Sequence, residues 1–285
     1  VKLFGDAQSS WIKTMAIWAT IAVILNLWCF SKCKENVDIP ARNDTKVPLR
    51  KSLKALLTNQ YFYAGIFFQM FQNILFAITG TMLPYYCKYV FHNDSWLYSA
   101  MYTAETLLMI VITMAFSPLL LKKFGKKKMS LGGLVLAVLG QIIFMFNPYN
   151  QTLVFLSCIL RGIGFAPLNS VFYGFVNEAV EFGQWKSHIR QEGPIFAGSN
   201  MGTKFGAGAA SAIMTSLLGW AGYISTSGTA VVQPDSAVNM IITIYTWGPV
   251  LVYAGYILLL LLYRLDKKYP AIMKELEERE ARGEL

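Results

Sequence analysis

Three ionisable side chains stand in the middle of long apolar stretches. Glu105 lies about 8 residues into the stretch 97–121, roughly 12 Å at helical rise. Arg161 lies at a similar depth in 152–176, and Lys204 sits about 10 residues, roughly 15 Å, from the start of 194–220. Insertion scales put a charge at the bilayer centre at about 2.5–3.5 kcal/mol, so such residues read as parts of a pathway or a binding site by default. There are two cations and one anion. Glu105 neutralises itself on Arg161 or Lys204, as buried ions usually do, or one cation meets a carboxylate substrate, water, or a part of the protein outside this chain.

Uncharged polar groups extend the constellation. Gln69 and Asn73 are four residues apart and share a helix face, as do Arg161, Phe165, Asn169 and Tyr173, with Asn177 continuing the second stripe. Ser199, Asn200 and Thr203 lie within about a turn of Lys204. Such a stripe lines a hydrophilic cavity or makes interhelix hydrogen bonds, which are worth only about 0.6 kcal/mol each on average. The candidate substrate-binding set is therefore Arg161, Lys204, Gln69, Asn73, Asn169, Tyr173 and Glu105. Enzyme chemistry is not indicated. The two histidines, His92 and His188, fall in loops, and the cysteines Cys29, Cys33, Cys87 and Cys158 form no C-x-x-C pair. No metal cluster and no resident cofactor is expected.

The elements that must position these groups are seven apolar stretches at 11–30, 61–86, 97–121, 129–147, 152–176, 194–220 and 238–263. A hydrocarbon core about 30 Å thick needs roughly 20 helical residues, and lipid leaves backbone groups only helices or closed barrels. Hydrophobic residues are 55% of the chain and charged residues 14%, well under the roughly 25% of soluble domains. The formal charge of +9 is not a nucleic-acid footprint, because it alternates along the chain. Segment 32–60 holds seven Lys and Arg, 122–128 five, 177–193 two and the tail 264–285 six, whereas 87–96, 148–151 and 221–237 together hold only Lys88. Basic short loops stay cytoplasmic. This places 32–60 and the C-terminus on the cytoplasmic side of a cell membrane, inner or plasma.

Within the basic segment, 49–57 carries apolar residues at helical spacing against Arg50, Lys51 and Lys54, and reads as an amphipathic helix on the membrane surface. Residues 34–48 read as a disordered tether. Gly198, Gly202 and Gly206 recur every fourth residue, a track for close helix contact. The tail reads as a solvated, charged helix.

Two loop segments carry a resemblance. Segment 117–128, Ser-Pro-Leu-Leu-Leu-Lys-Lys-Phe-Gly-Lys-Lys-Lys, is similar to a degenerate Gly-x-x-x-x-basic-x-Gly-basic-basic loop of the major facilitator superfamily. Segment 178–193 is more specific: Glu178-x-x-Glu181-Phe182-Gly183-Gln184-Trp185-Lys186, then Arg190, Glu192 and Gly193. It resembles the Asp-x-x-acid-aromatic-Gly-Glu-Trp-Lys-Thr-Gly-x-Arg-x-Glu-Gly motif of the glycoside–pentoside–hexuronide:cation symporters. Glu178 stands for the usual Asp, Gln184 for the usual acid and Ser187-His188 for Thr-Gly, so a salt bridge from position 184 is in doubt.

In that family the motif joins the tenth and eleventh helices. The resemblance therefore implies an all-α membrane protein: the C-terminal six-helix bundle of a major facilitator fold plus one preceding helix. Residues 1–31 become the last helix of an N-terminal bundle, 32–60 the central cytoplasmic loop, 61–263 the C-terminal bundle and 264–285 a cytoplasmic tail. The partners it implies are a sugar or glycoside, a coupling H⁺ or Na⁺, the lipid bilayer and the missing N-terminal helices that carry the family's cation site. It also ties Lys204 to the coupling of cation and sugar. Glu178, Glu181, Lys186, Arg190 and Glu192 are then a cytoplasmic gate of weak, reversible ion pairs. The expected activity is import of a sugar, an acidic hexuronide being attractive if midplane cations stay unpaired. A carrier of another solute is the alternative, with a channel or scaffold behind it.

Overall fold

The computed structural model describes residues 8–33, 48–93, 96–225 and 232–283. The predicted tether thus lies, apart from Pro48, outside the described residues. Two units divide at Val47 and Pro48. In the first, α1 spans Gln8–Lys32, and its large apolar side chains, Trp11, Trp18, Leu25 and Trp28 among them, are exposed.

The second unit runs α2 (Leu49–Leu57), α3 (Gln60–Tyr89), α4 (Leu97–Val111), α5 (Ser117–Phe146), α6 (Gln151–Ser187), α7 (Glu192–Trp220), α8 (Asp235–Leu262) and α9 (Leu265–Ala281). Among the described residues there is no strand. Every predicted span coincides with a helix. Five helical stretches are long and apolar enough to cross a membrane. One of them is the 50-residue run Leu97–Phe146, which holds two spans. It passes through a π turn at Ile112–Phe116 and breaks at Gly125, whose φ of 74° suits a residue without Cβ. The α7 helix, rich in glycine and carrying Lys204, is not among the five.

Local chemistry sets the ends. The Asn59 side chain accepts from Tyr61 N–H at 3.0 Å to start α3, and Asn150 accepts from Thr152 and Leu153 to start α6. His188, in the left-handed region at φ 57°, closes α6.

Close contacts fix the direction of each helix. Gly133 and Gly140 of α5 meet Gly164 and Leu160 of α6, so these two run antiparallel. Glu105 meets Gly162 and Thr113 bonds Ala166, so α4 runs with α6. Phe62, Ile66 and Met70 of α3 meet Gly198, Gly202 and Gly206 of α7 in step, which makes that pair parallel. Phe71 and Ile78 meet Gly255 and Gly248 of α8 in reverse order. The six helices α3 to α8 therefore alternate in direction, as six consecutive membrane crossings must. The glycine track is a packing surface: a Cβ at Gly202 would stand 2.3 Å from Ile66 O, and one at Gly206 2.4 Å from Met70 O. Gly208, off the track, meets nothing.

The tail is a helix with an inward face. Leu265, Ile272 and Leu276 of α9 are buried, which corrects the expectation of a wholly solvated terminus. The charged i,i+4 pattern of 274–280 hid an apolar stripe at 265, 272 and 276.

Candidate functional site

Among the described residues, the three charges separate into a locked pair, Glu105 and Arg161, and a cation without an ion partner, Lys204. Arg161 is fully buried. Its Nη2 donates to Glu105 Oε2 at 2.7 Å, to the Tyr245 hydroxyl at 2.8 Å and to Cys158 Sγ at 3.3 Å. Its Nη1 donates to Gln141 Oε1 at 3.1 Å. Gln141 is held in turn, its Nε2 donating to the carbonyls of Tyr245 and Thr246 at 2.8 and 3.0 Å. The Tyr245 ring also lies 5.0 Å from the guanidinium carbon. One side chain thus ties α4, α5, α6 and α8 together. The spacing of the sequence did not point to Gln141 and Tyr245. A lone Gln in the apolar stretch 129–147 was the available signal.

Glu105 is not sealed in. Its side chain is 18% exposed and opens on a cavity of about 270 Å³ walled by Phe76, Thr79, Tyr102, Thr106, Phe165 and Tyr253, with Arg161 at its edge.

Lys204 is exposed and, among the described residues, makes no ion pair or hydrogen bond. It lies on the side of α7 opposite the Gly198–Gly202–Gly206 track, about 160° round the helix from Gly206. Phe196, Asn200 and Lys204 form one stripe at i, i+4, i+8. The Phe196 ring stacks with Tyr173 of α6 at 6.5 Å, so the start of this stripe meets the Tyr173 end of the α6 stripe. Tyr173 and Asn200 are exposed and Asn169 is half-buried. Asn169 accepts from Gln72 Nε2 at 2.9 Å, a partner the sequence reading missed. Asn73 donates to the carbonyl of Gln69 within α3. Gln69 Oε1, Ser199 Oγ and Thr203 Oγ1 are buried without partners along the α3–α7 contact. Gln72–Asn169 links α3 to α6 and Tyr173–Phe196 links α6 to α7, Lys204 lies on the side of α7 away from its α3 contact, and Glu105 and Arg161 sit in a separate network beyond the Phe76–Phe165 ring pair, whose centroids are 6.0 Å apart.

The charged segment at the end of α6 is knitted into its own bundle. Glu178 is buried, pairs with Lys126 and accepts from the Tyr263 hydroxyl at 2.7 Å. Glu181 accepts from Tyr269 of α9. Trp185 Nε1 donates to Glu275 at 2.7 Å, and Arg279 bonds both Glu275 and the Trp185 carbonyl. Lys186 donates to Thr58 O at 2.8 Å. Arg190 pairs with Glu192 and donates to Gln184 at 2.9 Å, so the Gln at 184 keeps a contact despite losing the acid. Bonds from Trp185 and Arg279 hold the Glu275 carboxyl below the usual carboxylate range.

Six alternating membrane-length helices, a preceding seventh and a polar face near their middle define an all-α, multi-pass membrane protein of the major facilitator type. Residues 3–267 match the MFS/sugar transport protein family model, and the chain belongs to that family. It is 26% identical to the isoprimeverose transporter of Lactiplantibacillus pentosus, over 99% of this chain and 58% of that protein. It is also 26% identical to the lactose permease of Lactobacillus helveticus, over 98% of this chain and 44% of that protein. The chain thus spans about half the length of the curated relatives it matches. These relatives are transporters, not enzymes.

Proposed function

We propose that the chain is the C-terminal part of a secondary symporter that imports a sugar or glycoside with H⁺ or Na⁺ by alternating access. In this reading 1–31 is the last helix of the preceding bundle, 32–60 the central cytoplasmic loop, 61–263 the second bundle and 264–285 a cytoplasmic tail. The observation that carries it is the match of residues 3–267 to the sugar-transport family, on helices that carry the polar side chains of Asn73, Asn169 and Tyr173 and the cation Lys204. Amide and hydroxyl groups such as those of Asn169 and Tyr173 suit sugar hydroxyls, and an ammonium with no ion pair among the described residues suits a step in which its partner changes. Transporter substrates bind at the midplane between two bundles, one rocking against the other.

The Glu105–Arg161 pair bears on the cargo. With Arg161 neutralised, Lys204 alone speaks for an acidic group, so a neutral sugar fits as well as a hexuronide. Glu178, Glu181, Lys186, Arg190 and Glu192 act in this reading as a cytoplasmic gate, with Glu178 as its fixed base and the exposed Arg190–Glu192 pair as its exchangeable part.

The test is uptake and counterflow by the full-length protein in vesicles, against neutral and acidic glycosides, with and without sodium. Saturable counterflow supports a carrier, whereas linear flux supports a pore. Lys204→Ala is expected to abolish accumulation while leaving the protein folded. Intact accumulation in that variant overturns the coupling role.

A further inference from the structure

The cavity at Glu105 is distinct from the polar face, yet it continues the same helix sides. Phe76 follows Asn73 on α3, and Phe165 precedes Asn169 on α6. Their edge-to-face rings form the boundary between the two regions. Beyond them the walls are mainly apolar and aromatic, with Leu75, Met109, Tyr102 and Tyr253 completing the lining. Its two charged groups cancel. Arg161 is bonded to Glu105, Gln141, Tyr245 and Cys158, and its Nε–H is buried without an acceptor. The Glu105 carboxylate keeps some contact with the open space.

We infer that this cavity is a subsite for one neutral, hydroxyl-bearing ring: the second ring of a disaccharide whose first ring occupies the polar face. The inference rests on the sugar-transport reading and adds a location and a charge to it. At about 270 Å³ the cavity falls just under the roughly 300–1,000 Å³ of drug-sized sites, which is room for one ring and not for two. Aromatic walls cover the apolar faces of a pyranose and leave its edge for hydrogen bonds. The Glu105 carboxylate, which keeps contact with the cavity, accepts from hydroxyls. An anionic ring meets a site with no net positive charge, and its own charge would be desolvated without a counter-ion.

The test is calorimetric binding of paired sugars to the purified full-length protein: lactose with galactose, maltose with glucose, xylobiose with xylose. Thr106→Leu fills the cavity from α4, Thr79→Leu fills it from α3, and Thr106→Ser keeps it open. For the pair that binds, both Leu variants are expected to weaken the disaccharide at least tenfold and the monosaccharide less than twofold, with Thr106→Ser tracking the parent. Retained monosaccharide binding shows that the variants are folded. If each Leu variant weakens both sugars alike, or neither, the subsite is wrong while the carrier reading stands. If the parent binds none of the six sugars, the inference and the sugar reading it rests on fall together.

Discussion

Replacing Glu105 by Gln separates charge from geometry in the Arg161 network. The amide oxygen of Gln can accept from Arg161 Nη2 as the carboxylate does at 2.7 Å, so little packing and no hydrogen-bond count is lost. What is lost is the counter-charge of a guanidinium with no exposed surface. Removing one partner of a buried pair typically costs about 3–5 kcal/mol. Bonds from Arg161 to Gln141 and Tyr245 and the ring beneath it offset part of this, so a loss near 3 kcal/mol, at the low end of that range, is expected. Arg161→Met alone strands Gln141 Oε1 and the Tyr245 hydroxyl, each worth about 1–3 kcal/mol when unsatisfied. The double variant removes both charges, so its loss is expected to fall short of the sum of the two singles by about 2 kcal/mol, within the 0.5–3 kcal/mol range of coupled neighbours. The assay is denaturant unfolding of the full-length protein in mixed micelles, with all four members of the cycle. A Glu105→Gln variant as stable as its parent, or a cycle that adds, refutes the view that this pair locks the four helices.

Gly202→Val drives a side chain into the Ile66 carbonyl, and overpacking of this kind costs about 1–3 kcal/mol. The same unfolding assay reads it, and Gly208→Val, with open space around it, is expected to be silent. Gln72→Ala frees Asn169 from the side-chain donor it has among the described residues. Its effect on sugar affinity is expected to exceed that of Asn73→Ala, whose amide bonds its own helix backbone, and calorimetry separates them. Glu275 has a depressed folded pKa, so its contribution to holding α9 is present above its unfolded value near 4.3 and is lost as pH falls through the folded value. The Trp185 component of fluorescence, isolated by comparison with Trp185→Phe, is expected to hold steady from pH 7 to about 5 and change below about 4. A signal that already changes between pH 7 and about 5 contradicts the Trp185–Glu275 contact as the one that titrates.

The spans were legible because lipid leaves a chain little freedom: a run of about 20 apolar residues is a helix. The turn at Gly125 fell inside the predicted basic loop, and the glycine track on α7 named its own contact. What could not be read was which polar groups meet. The sequence left Glu105 equally able to neutralise Arg161 or Lys204. The choice follows from α4 running beside α6, where Gly162 admits the Glu105 backbone so closely that a Cβ would stand 2.4 Å from its carbonyl. Gln141 and Tyr245 were invisible for a related reason. They belong to spans that looked wholly apolar, and a single polar atom in such a span is meaningful only once its neighbour is known. The tail failed by periodicity: its charges are dense enough to mask three inward apolar residues.

The contrast between the two cations bears on coupling. Arg161 has four hydrogen-bonding partners and a ring face, so its charge is compensated in place and moving it would break several bonds at once. Lys204 has none among the described residues, and an ammonium at that depth is costly without a partner or water. In the reading proposed above, the two have different parts: Arg161 and Glu105 form a fixed pair that holds the helices together, and Lys204 is a charge whose partner can change between cargo, cation and water. Exchanging the roles is therefore asymmetric. Lys204→Arg keeps the charge but replaces a flexible ammonium with a rigid fork, and is expected to bind sugar while losing cation-dependent accumulation. Arg161→Lys keeps the charge but cannot span Glu105, Gln141 and Tyr245 together, and is expected to lose stability first. Should Lys204→Arg accumulate sugar normally in vesicles, flexibility at that position is not what couples the two fluxes.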